Sequence, residues 1–185
     1  MPSSSSTLED RAYKTAKARF NASDRLIKKQ KSLIFTITLI TIAQISASVA
    51  FLAKANPQFA NLISSATINF SVFIAIISNT DSLSKDVLSA HHFHECGLKL
   101  MELTRKISGL SPEDQQKYQE EYNTVINSCS ENHSNLDYKL AEKQIIRSKY
   151  ICFYEKLHTL SAWSASFAYI FCAITSFLIT YRLVN

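Results

Sequence analysis

The segment from His91 to Cys96, His-His-Phe-His-Glu-Cys, is the densest group of possible metal ligands in the chain. Imidazole nitrogens and thiolates are ligands that zinc prefers, and residues four apart share one face of a helix. His92, His94 and Cys96 are therefore weak candidates for a metal site. No second ligand cluster stands at a recognisable spacing unless His133 joins the group in space. Histidines on a helix surface with a buried Cys96 are the simpler interpretation, and we expect neither a metal nor another cofactor.

Other catalytic chemistry finds little support in the residues. Gly97 and Gly109 are the only glycines, so neither of the Gly-rich phosphate loops can be built. No zinc-protease, nucleophile-elbow or kinase motif occurs. Around His133, we expect a structural turn. Asn132 or Ser134 would cap the helix that follows, and the negative charge of Asp137 would stabilise the positive, amino-terminal end of that helix. We therefore expect that the protein is not an enzyme.

Three long stretches of the chain contain no Asp, Glu, Lys or Arg and are candidates for transmembrane helices. They cover residues 32–53, 55–80 and 157–181. A helix rises about 1.5 Å per residue, so about 20 residues cross a hydrocarbon core of about 30 Å. Continuous apolar runs favour helices, because a membrane barrel would show short segments of alternating polarity. The sequence predicts an all-α integral membrane protein.

Charge indicates how these stretches are oriented. Residues 1–31 form a serine run and a basic amphipathic helix with eight Lys or Arg and three acids. Basic segments next to a transmembrane span usually stay on the cytoplasmic side, so we expect this segment in the cytoplasm. Residues 32–80 then form a two-span antiparallel transmembrane hairpin with Pro57 near its tip. Residues 81–156 form a cytoplasmic helical domain. Residues 157–185 form a third hydrophobic helix with a short tail, and whether it crosses completely stays open.

The polar parts carry recognisable helix starts. Thr7 begins a capping-box pattern. The basic helix that follows lies on lipid headgroups, packs on the cytoplasmic domain, or extends the first span and packs on its neighbours. Ser111 with Pro112 predicts a helix that runs to about Ser128. A further helix begins near Asn135 and continues into the third span. The residues predicted to form the buried face of residues 81–156 are Leu98, Met101, Leu103 to Ile107, Tyr118, Tyr122, Val125, Ile126, Leu140, Ile145 and Ile146.

The cysteines form no CxxC pair, and one of them lies inside a predicted span. A cytoplasmic domain is kept reduced. We therefore interpret Cys96, Cys129, Cys152 and Cys172 as reduced thiols and not as a disulfide framework.

Polar residues recur at helical spacing inside the spans. An unpaired amide in hydrocarbon costs several kcal/mol, so these faces should meet protein or water and not lipid. They are either packing contacts between helices, on the order of 1 kcal/mol each, or the lining of an aqueous pore assembled from several copies. The candidate lining residues are Thr41, Gln44, Ser48, Asn61, Ser65 and Asn69. On the third helix, a small-residue stripe that would let another helix approach closely consists of Ala168, Cys172, Ser176 and Thr180.

The order of these parts resembles the SLATT family. The resemblance covers about residues 11–149 and rests on a basic helix ending in RFNASDRLIKKQK, a tight two-span hairpin, a helix carrying His94 and Cys96, and ENHSNLDYK before a terminal helical segment. Members are bacterial two-transmembrane effector domains associated with SMODS nucleotidyltransferases and SLOG nucleotide sensors. The third helix is similar to a subgroup with a carboxyl-terminal extension that is linked to reverse transcriptases.

The resemblance implies a pore-forming effector of an antiphage, abortive-infection system. Such a protein would form a homo-oligomer in the bacterial inner membrane, with the amino terminus and the central helical domain cytoplasmic. Its expected partners are the lipid bilayer and a neighbouring reverse transcriptase, nucleotidyltransferase or SLOG-type sensor. The family offers no catalytic residues to carry over. Direct nucleic-acid binding is not expected, because the net charge of +5 comes mostly from the arm before the first span. The alternatives are a non-conducting scaffold that recruits a neighbouring nucleotide-processing enzyme and a metal-dependent membrane enzyme.

Overall fold

The computed structural model describes residues 7–54, 57–79, 82–129 and 131–184, and across these ranges the chain forms helices and no strand. The all-α prediction is confirmed. The helices are α1 (Leu8–Lys54), α2 (Pro57–Asn79), α3 (Ser82–Ile107), α4 (Pro112–Gln116), α5 (Gln119–Ser128), α6 (Asn135–Ile145) and α7 (Ile151–Val184).

The first helix is a single element of 47 residues. The Thr7 hydroxyl accepts a hydrogen bond from the backbone N–H of Asp10 at 3.2 Å, as the capping pattern predicts. The sequence of α1 contains neither Gly nor Pro, so nothing interrupts it between the basic arm and the first apolar stretch. Ala12, Ala16 and Ala22 are fully buried, so the arm extends the helix and packs on its neighbours.

The helix predicted from Pro112 to Ser128 begins and ends at those residues but is interrupted in the middle. The Ser111 hydroxyl accepts from the backbone N–H of Asp114, and Pro112 occupies the first turn. Helix α4 then stops at Gln116 and α5 starts at Gln119. The turn between them lets Tyr118 and Tyr122 pack on a cluster formed by Leu8, Leu103 and Ile107.

The prediction that the helix from Asn135 continues into the third span is wrong. Helix α6 ends at Ile145, and Arg147 takes a left-handed conformation with φ of 50°. The N–H of Ser148 donates to the carbonyl of Lys143, and the N–H of Arg147 donates to that of Gln144. This is a Schellman ending, which turns the chain before α7 begins.

The chain divides into two compact units. The first unit comprises Met1–Ile27 and Lys85–Ser161. In this unit α1 approaches α3 closely: a Cβ added to Gly97 would lie 2.7 Å from Cε1 of Phe20. Alanines on one face of α1 allow this approach. The apolar core along the two helices contains Leu8, Ala12, Ala16, Ala22, Leu26, Ala90, Phe93, Leu100, Leu103 and Ile107.

The predicted buried face of residues 81–156 is correct in part. Leu103, Ile107 and Leu140 are buried, as predicted. Leu98, Ile145 and Ile146 are exposed, so the prediction is wrong for these three residues. Leu98 lies one position from the α3 face that contacts α1, and the two isoleucines lie where α6 ends and the chain turns.

The second unit comprises Lys28–Ser84 and Ala162–Asn185. It contains parts of α1 and α7 together with α2. By length and composition, one segment of the described chain is long and apolar enough to span a membrane, the 25 residues Ile151–Thr175 of α7. A shorter apolar stretch covers Ile63–Ser78 of α2. The two-span hairpin stays a prediction.

Candidate functional site

The amide of Gln44 joins α1 to α2 inside the second unit. Its nitrogen donates to the Ser71 hydroxyl at 3.0 Å and approaches the Thr67 carbonyl at 3.5 Å. Ser71 was not among the candidate residues because it lies off the four-residue stripe that contains Asn69. Gln44, a candidate lining residue, thus pairs with the neighbouring helix in this conformation, as a packing contact does.

The hydroxyl candidates of α1 satisfy themselves locally. Thr41 donates to the carbonyl of Ile37 at 2.9 Å, and Ser48 donates to that of Gln44 at 3.0 Å. Such bonds to the carbonyl four residues earlier keep a hydroxyl paired in an apolar setting. Both side chains are half-buried.

Two of the three α2 candidates have described side chains. Ser65 and Asn69 are half-buried, and Asn69 has an interaction partner. The side chain of Asn61 lies outside the described part of the chain. The assignment of these residues to a pore lining stays a prediction.

A buried hydroxyl pair connects α1 and α7 within the second unit. The Ser166 hydroxyl donates to that of Ser32 at 2.8 Å, and both side chains are fully buried. Ala162 and Ala173 are buried on the same side of α7. Sequence analysis missed this contact, although Ala162, Ser166 and Ala173 are small residues at helical spacing that could have indicated it.

The predicted small-residue stripe lies on another side of α7. Ala168 and Cys172 are exposed, so no described helix of the chain covers them. Ser176 and Thr180 lie outside the described side chains. The packing role of the stripe stays a prediction.

The second unit also contains an apolar cavity of about 430 Å³. No charged or amide side chain contributes to its walls, so it could hold an acyl chain or an apolar side chain but offers no polar group for specific recognition. The cavity is lined by Leu39, Ile40, Ala43, Phe70, Ile170, Ala173, Ile174 and Leu178.

In the first unit, Cys96 and Cys129 form a disulfide, so their assignment as reduced thiols is wrong. Cys96 lies on α3 and Cys129 directly follows α5, and the packing of these helices brings their Cα atoms to 6.3 Å. That distance is normal for a disulfide. The spacing of 33 residues matches no motif, which is why sequence analysis missed the pair. Cys152 and Cys172 are free and exposed, in agreement with their assignment.

The disulfide removes Cys96 from the possible metal ligands of the histidine segment, because its sulfur is bonded to Cys129. Cys96 is buried, as predicted, but its sulfur is bonded. His92 and His94 are exposed, and the His94 ring contacts the edge of Phe20. Among the described residues, no group of three or more His, Cys, Asp or Glu side chains could hold a metal ion.

The carboxylate of Asp137 has several hydrogen-bond partners in the first unit. It is fully buried and accepts two hydrogen bonds of 3.0 Å from the Arg25 guanidinium, together with bonds from the Ser134 backbone and hydroxyl. His158 Nε2 lies 3.2 Å from the carboxylate and 3.0 Å from the Asn21 carbonyl. We call Arg25, Asp137 and His158 the polar clamp, because they join α1, α6 and α7.

The environment of the clamp keeps Asp137 ionised. Burial alone would raise the pKa of the carboxyl group, but hydrogen bonds from His158, Arg25 and Ser134 and the positive charge of Arg25 bring this pKa far below its usual range. Sequence analysis identified Asp137 as a helix-start acid, and the capping box with Ser134 confirms that role. Arg25 and His158 lie 112 and 21 residues from Asp137 in sequence, so no local sequence pattern predicts their contacts with it.

A second buried charge lies nearby in the first unit. Arg19 is almost fully buried, donates to the Glu131 carbonyl and faces the Phe93 ring at 5.3 Å. Burial lowers the pKa of Arg19, and burial together with the Arg19 charge lowers the pKa of His133. His133 stacks on Tyr138, and within the described residues its Nδ1 has no hydrogen-bond partner.

The described residues thus define an all-helical protein with many exposed apolar side chains in the second unit and a buried ion pair, Arg25 with Asp137, in the first. The chain belongs to the SLATT family: the family model described as SMODS and SLOG-associating 2TM effector domain family 5 matches residues 1–183. The family assigned from the sequence is confirmed. No curated protein and no solved structure matches the chain.

Proposed function

We propose that the chain is a pore-forming effector of a bacterial antiphage system, which oligomerises in the inner membrane and permeabilises it upon activation. The family description as a two-transmembrane effector domain supports the effector role. The signal would come from a neighbouring nucleotidyltransferase, SLOG-type sensor or reverse transcriptase. The amino terminus and the first unit lie in the cytoplasm, in accordance with the basic residues before residue 32.

The observation that carries the membrane location is the apolar surface of the second unit. Large apolar side chains are exposed on all three of its helices, and extended apolar surfaces of this kind mark contact sites for protein or membrane. Lipid is the solvent that accommodates such a surface without cost. These side chains include Ile34, Phe35, Leu39, Ile42, Ile45, Val49, Ile68, Val72, Ile76, Phe167, Phe171, Ile174 and Leu178.

The polar groups of α1 and α2 supply the conduction path in this proposal. In the structure Gln44 is bonded to Ser71, and Thr41 and Ser48 are bonded to their own helix, so these three side chains are already paired. This describes a closed state. In the open state, several copies would turn Thr41, Gln44 and Ser48 and the Asn61, Ser65 and Asn69 stripe toward a common water column.

The polar clamp is the element that transmits the signal in this proposal. Arg25 and His158 belong to α1 and α7, and both helices also contribute residues to the second unit. A ligand or partner shifts the closed and open populations only if it binds one of them more tightly. A partner that favours a different spacing of α1 and α7 around Asp137 would meet this condition.

Membrane depolarisation in cells that express the full chain tests the proposal. Replacement of Asn61, Ser65 and Asn69 by Leu should abolish depolarisation and toxicity, because the lumen loses its amide and hydroxyl groups. The matched control is Ile68→Leu on the same helix, where an exposed apolar side chain is replaced by an isomer. Unchanged depolarisation in the triple variant, at equal expression and assembly, would reject the assigned lining.

A second candidate function is a non-conducting scaffold that recruits a neighbouring enzyme. It is favoured by a cleft of about 580 Å³ in the first unit, where cations and tyrosines lie together at the surface. The Lys14 ammonium lies 4.5 Å from the Tyr138 ring centre, and the Arg11 guanidinium lies 5.2 Å from that of Tyr122. A stable enzyme complex that depends on these residues, without any conductance, would favour the scaffold.

A further inference from the structure

The disulfide between Cys96 and Cys129 borders a polar cavity in the first unit. The cavity has a volume of about 220 Å³ and is lined by His92, Glu95, Cys96, Lys99, Ser128 and Cys129. A cavity of about 150 Å³ is enough to hold benzene, so this one has room for the reactive end of a small thiol. Cys129 is half-buried, whereas Cys96 is almost fully buried. A thiol in the cavity therefore reaches the disulfide from the side of Cys129.

The charge beside Cys96 favours thiol–disulfide exchange. Lys99 lies three residues after Cys96 on α3, so the two side chains share one face of the helix. A nearby cation stabilises a thiolate, and a stabilised thiolate leaves a disulfide faster. The carboxylate of Glu95 borders the same cavity and has the opposite effect. The rate of reduction should therefore respond to both side chains, in opposite directions.

The noncovalent packing of α5 is shallow. The helix has ten residues, and none of them is buried. Tyr122, Val125 and Ile126 pack on an apolar cluster around Cys96 but are only partly buried. Isolated helices of this length are marginal in water. The covalent bond from Cys129 to α3 is therefore a major part of the attachment of α5.

The turn after Cys129 joins the disulfide to two buried charges. The carbonyl of Glu131 accepts a hydrogen bond from Arg19, which is almost fully buried. The backbone N–H and the hydroxyl of Ser134 donate to Asp137 of the polar clamp. Movement of this turn would take partners from both charges, and a buried charge without partners is costly. Residues 131–134 thus connect the disulfide to the charged core of the first unit.

We propose that the Cys96–Cys129 disulfide is a redox switch that a small monothiol reduces in the folded protein. The thiolate of a first thiol attacks the Cys129 sulfur, which forms a mixed disulfide and releases Cys96 as a thiolate. A second thiol attacks the sulfur of the first, releases Cys129 and leaves with the first as their own disulfide. The two thiols supply two electrons and two protons, so both cysteines end as thiols.

Reduction releases α5 from α3 and loosens residues 131–134, which weakens the contacts of Arg19 and Asp137. The chemistry of the switch does not depend on conduction. Only the supply of thiols depends on the proposed function, because it places the first unit in the cytoplasm, where such thiols keep cysteines reduced.

Reduction of the folded full-length protein by excess glutathione in detergent tests the proposal. Mass spectrometry counts maleimide groups over time, and wild type should gain two beyond those at Cys152 and Cys172. Urea well below the unfolding midpoint should change the rate by less than about twofold, because direct attack does not require unfolding. A rate that rises steeply with urea, or no reduction in the folded protein, would overturn the proposal.

Charge variants test the route of attack. Lys99→Gln should slow reduction about threefold, because the leaving Cys96 thiolate loses its cation, and Glu95→Gln should speed it. The matched control is Lys85→Gln, which removes the same charge from α3 about 16 Å before Cys96 along the helix. At that distance the charge is largely screened, so the control should keep the rate of wild type. Equal rates in all four proteins would overturn the assignment of Cys96 as the leaving sulfur.

Hydrogen exchange tests the structural consequence. Reduction should raise the exchange of amides in residues 119–128 and 131–134 several-fold and leave α2 unchanged. A variant with Cys96→Ser and Cys129→Ser should exchange like the reduced protein, with or without glutathione. Unchanged exchange of α5 upon reduction would overturn the switch. Since none of these measurements uses conductance, their failure would not affect the pore, and a protein without conductance would not affect the switch.

Discussion

At the residue scale, the polar clamp shows which part of a buried site can be predicted locally. Ser134 and Asp137 are three residues apart, and their capping box follows from that spacing. The sequence also contains Arg25 and His158, but nothing local connects residues so far apart. Only the packing of α1, α6 and α7 places them around one carboxylate.

Substitution of Asp137 by Asn should destabilise the protein strongly. The change removes a buried charge and leaves the Arg25 guanidinium without its partner, for which losses of about 3–5 kcal/mol in the free energy of unfolding are typical. For a chain of this size the midpoint of thermal unfolding should fall by about 10 °C. Thermal unfolding of the detergent-purified protein measures this change.

The matched control is Asp114→Asn, another acid that bonds to a capping serine but is exposed. It should cost less than about 1 kcal/mol. Equal losses in the two variants would contradict the central role of the clamp. Because folding lowers the pKa of Asp137, its contribution to stability is complete above about pH 4 and is lost as the pH falls further. The difference between wild type and Asp137→Asn should therefore shrink in acid.

The disulfide predicts a defined pattern of thiol reactivity. The oxidised protein should take up two maleimide groups, at Cys152 and Cys172, and the reduced and unfolded protein should take up four. Mass spectrometry counts the added groups. Four groups without reduction would contradict the pairing. Cytoplasmic thiols are normally kept reduced, so the same count on intact cells tests whether the pair is oxidised in its compartment.

Loss of the disulfide should also lower stability. Closing a loop of 33 residues is expected to contribute about 3–4 kcal/mol. Replacement of Cys96 and Cys129 by Ser should reduce the free energy of unfolding by about this amount. Cys152→Ser is the matched control and should change it little, because this thiol is free and exposed. Equal stability of both variants under oxidising conditions would contradict a structural bond.

At the element scale, helix starts could be predicted better than helix ends. Thr7, Ser111 and Ser134 each precede an acid three residues later, and the serines act as caps in α4 and α6. Helix ends have weaker signals in this sequence. Arg147 takes the left-handed conformation that a glycine usually provides, so the end of α6 had no sequence signal.

Substitution of Arg147 by Gly should stabilise the end of α6. A left-handed conformation costs a residue with a Cβ about 1 kcal/mol, and glycine avoids this cost. Part of the gain is lost to the greater freedom of glycine in the unfolded chain, so about 0.5 kcal/mol should remain. Chemical denaturation in detergent measures the difference.

Gly109→Ala is the complementary control. Gly109 has φ of 79° with open space around its Cα, so alanine there meets backbone strain and no clash. It should destabilise by about 1 kcal/mol. Destabilisation by Arg147→Gly would contradict the Schellman ending described here.

At the scale of the whole molecule, the distribution of apolar residues and the order of the segments were enough to predict the fold class and the family. Segregated apolar runs predicted an all-α chain, and the family resemblance is confirmed. What could not be predicted was that α1 and α7 each belong to two units. A 47-residue helix has no internal break to mark a boundary, and the contacts that define the units join residues distant in sequence.

The candidate site could be predicted only as a set of polar positions. The spacing placed Thr41, Gln44 and Ser48 on one side of a helix, but the partner of Gln44 depends on how α2 packs. Hydroxyl pairs such as Ser32 with Ser166 consist of residues too common to be noticed before the helices are placed together.

Current recording from the purified full-length protein in a planar lipid bilayer tests pore formation most directly. We expect discrete current steps that disappear when Asn61, Ser65 and Asn69 are replaced by Leu and persist in Ile68→Leu. Protein that is oligomeric and inserted but passes no current at any applied voltage would contradict it.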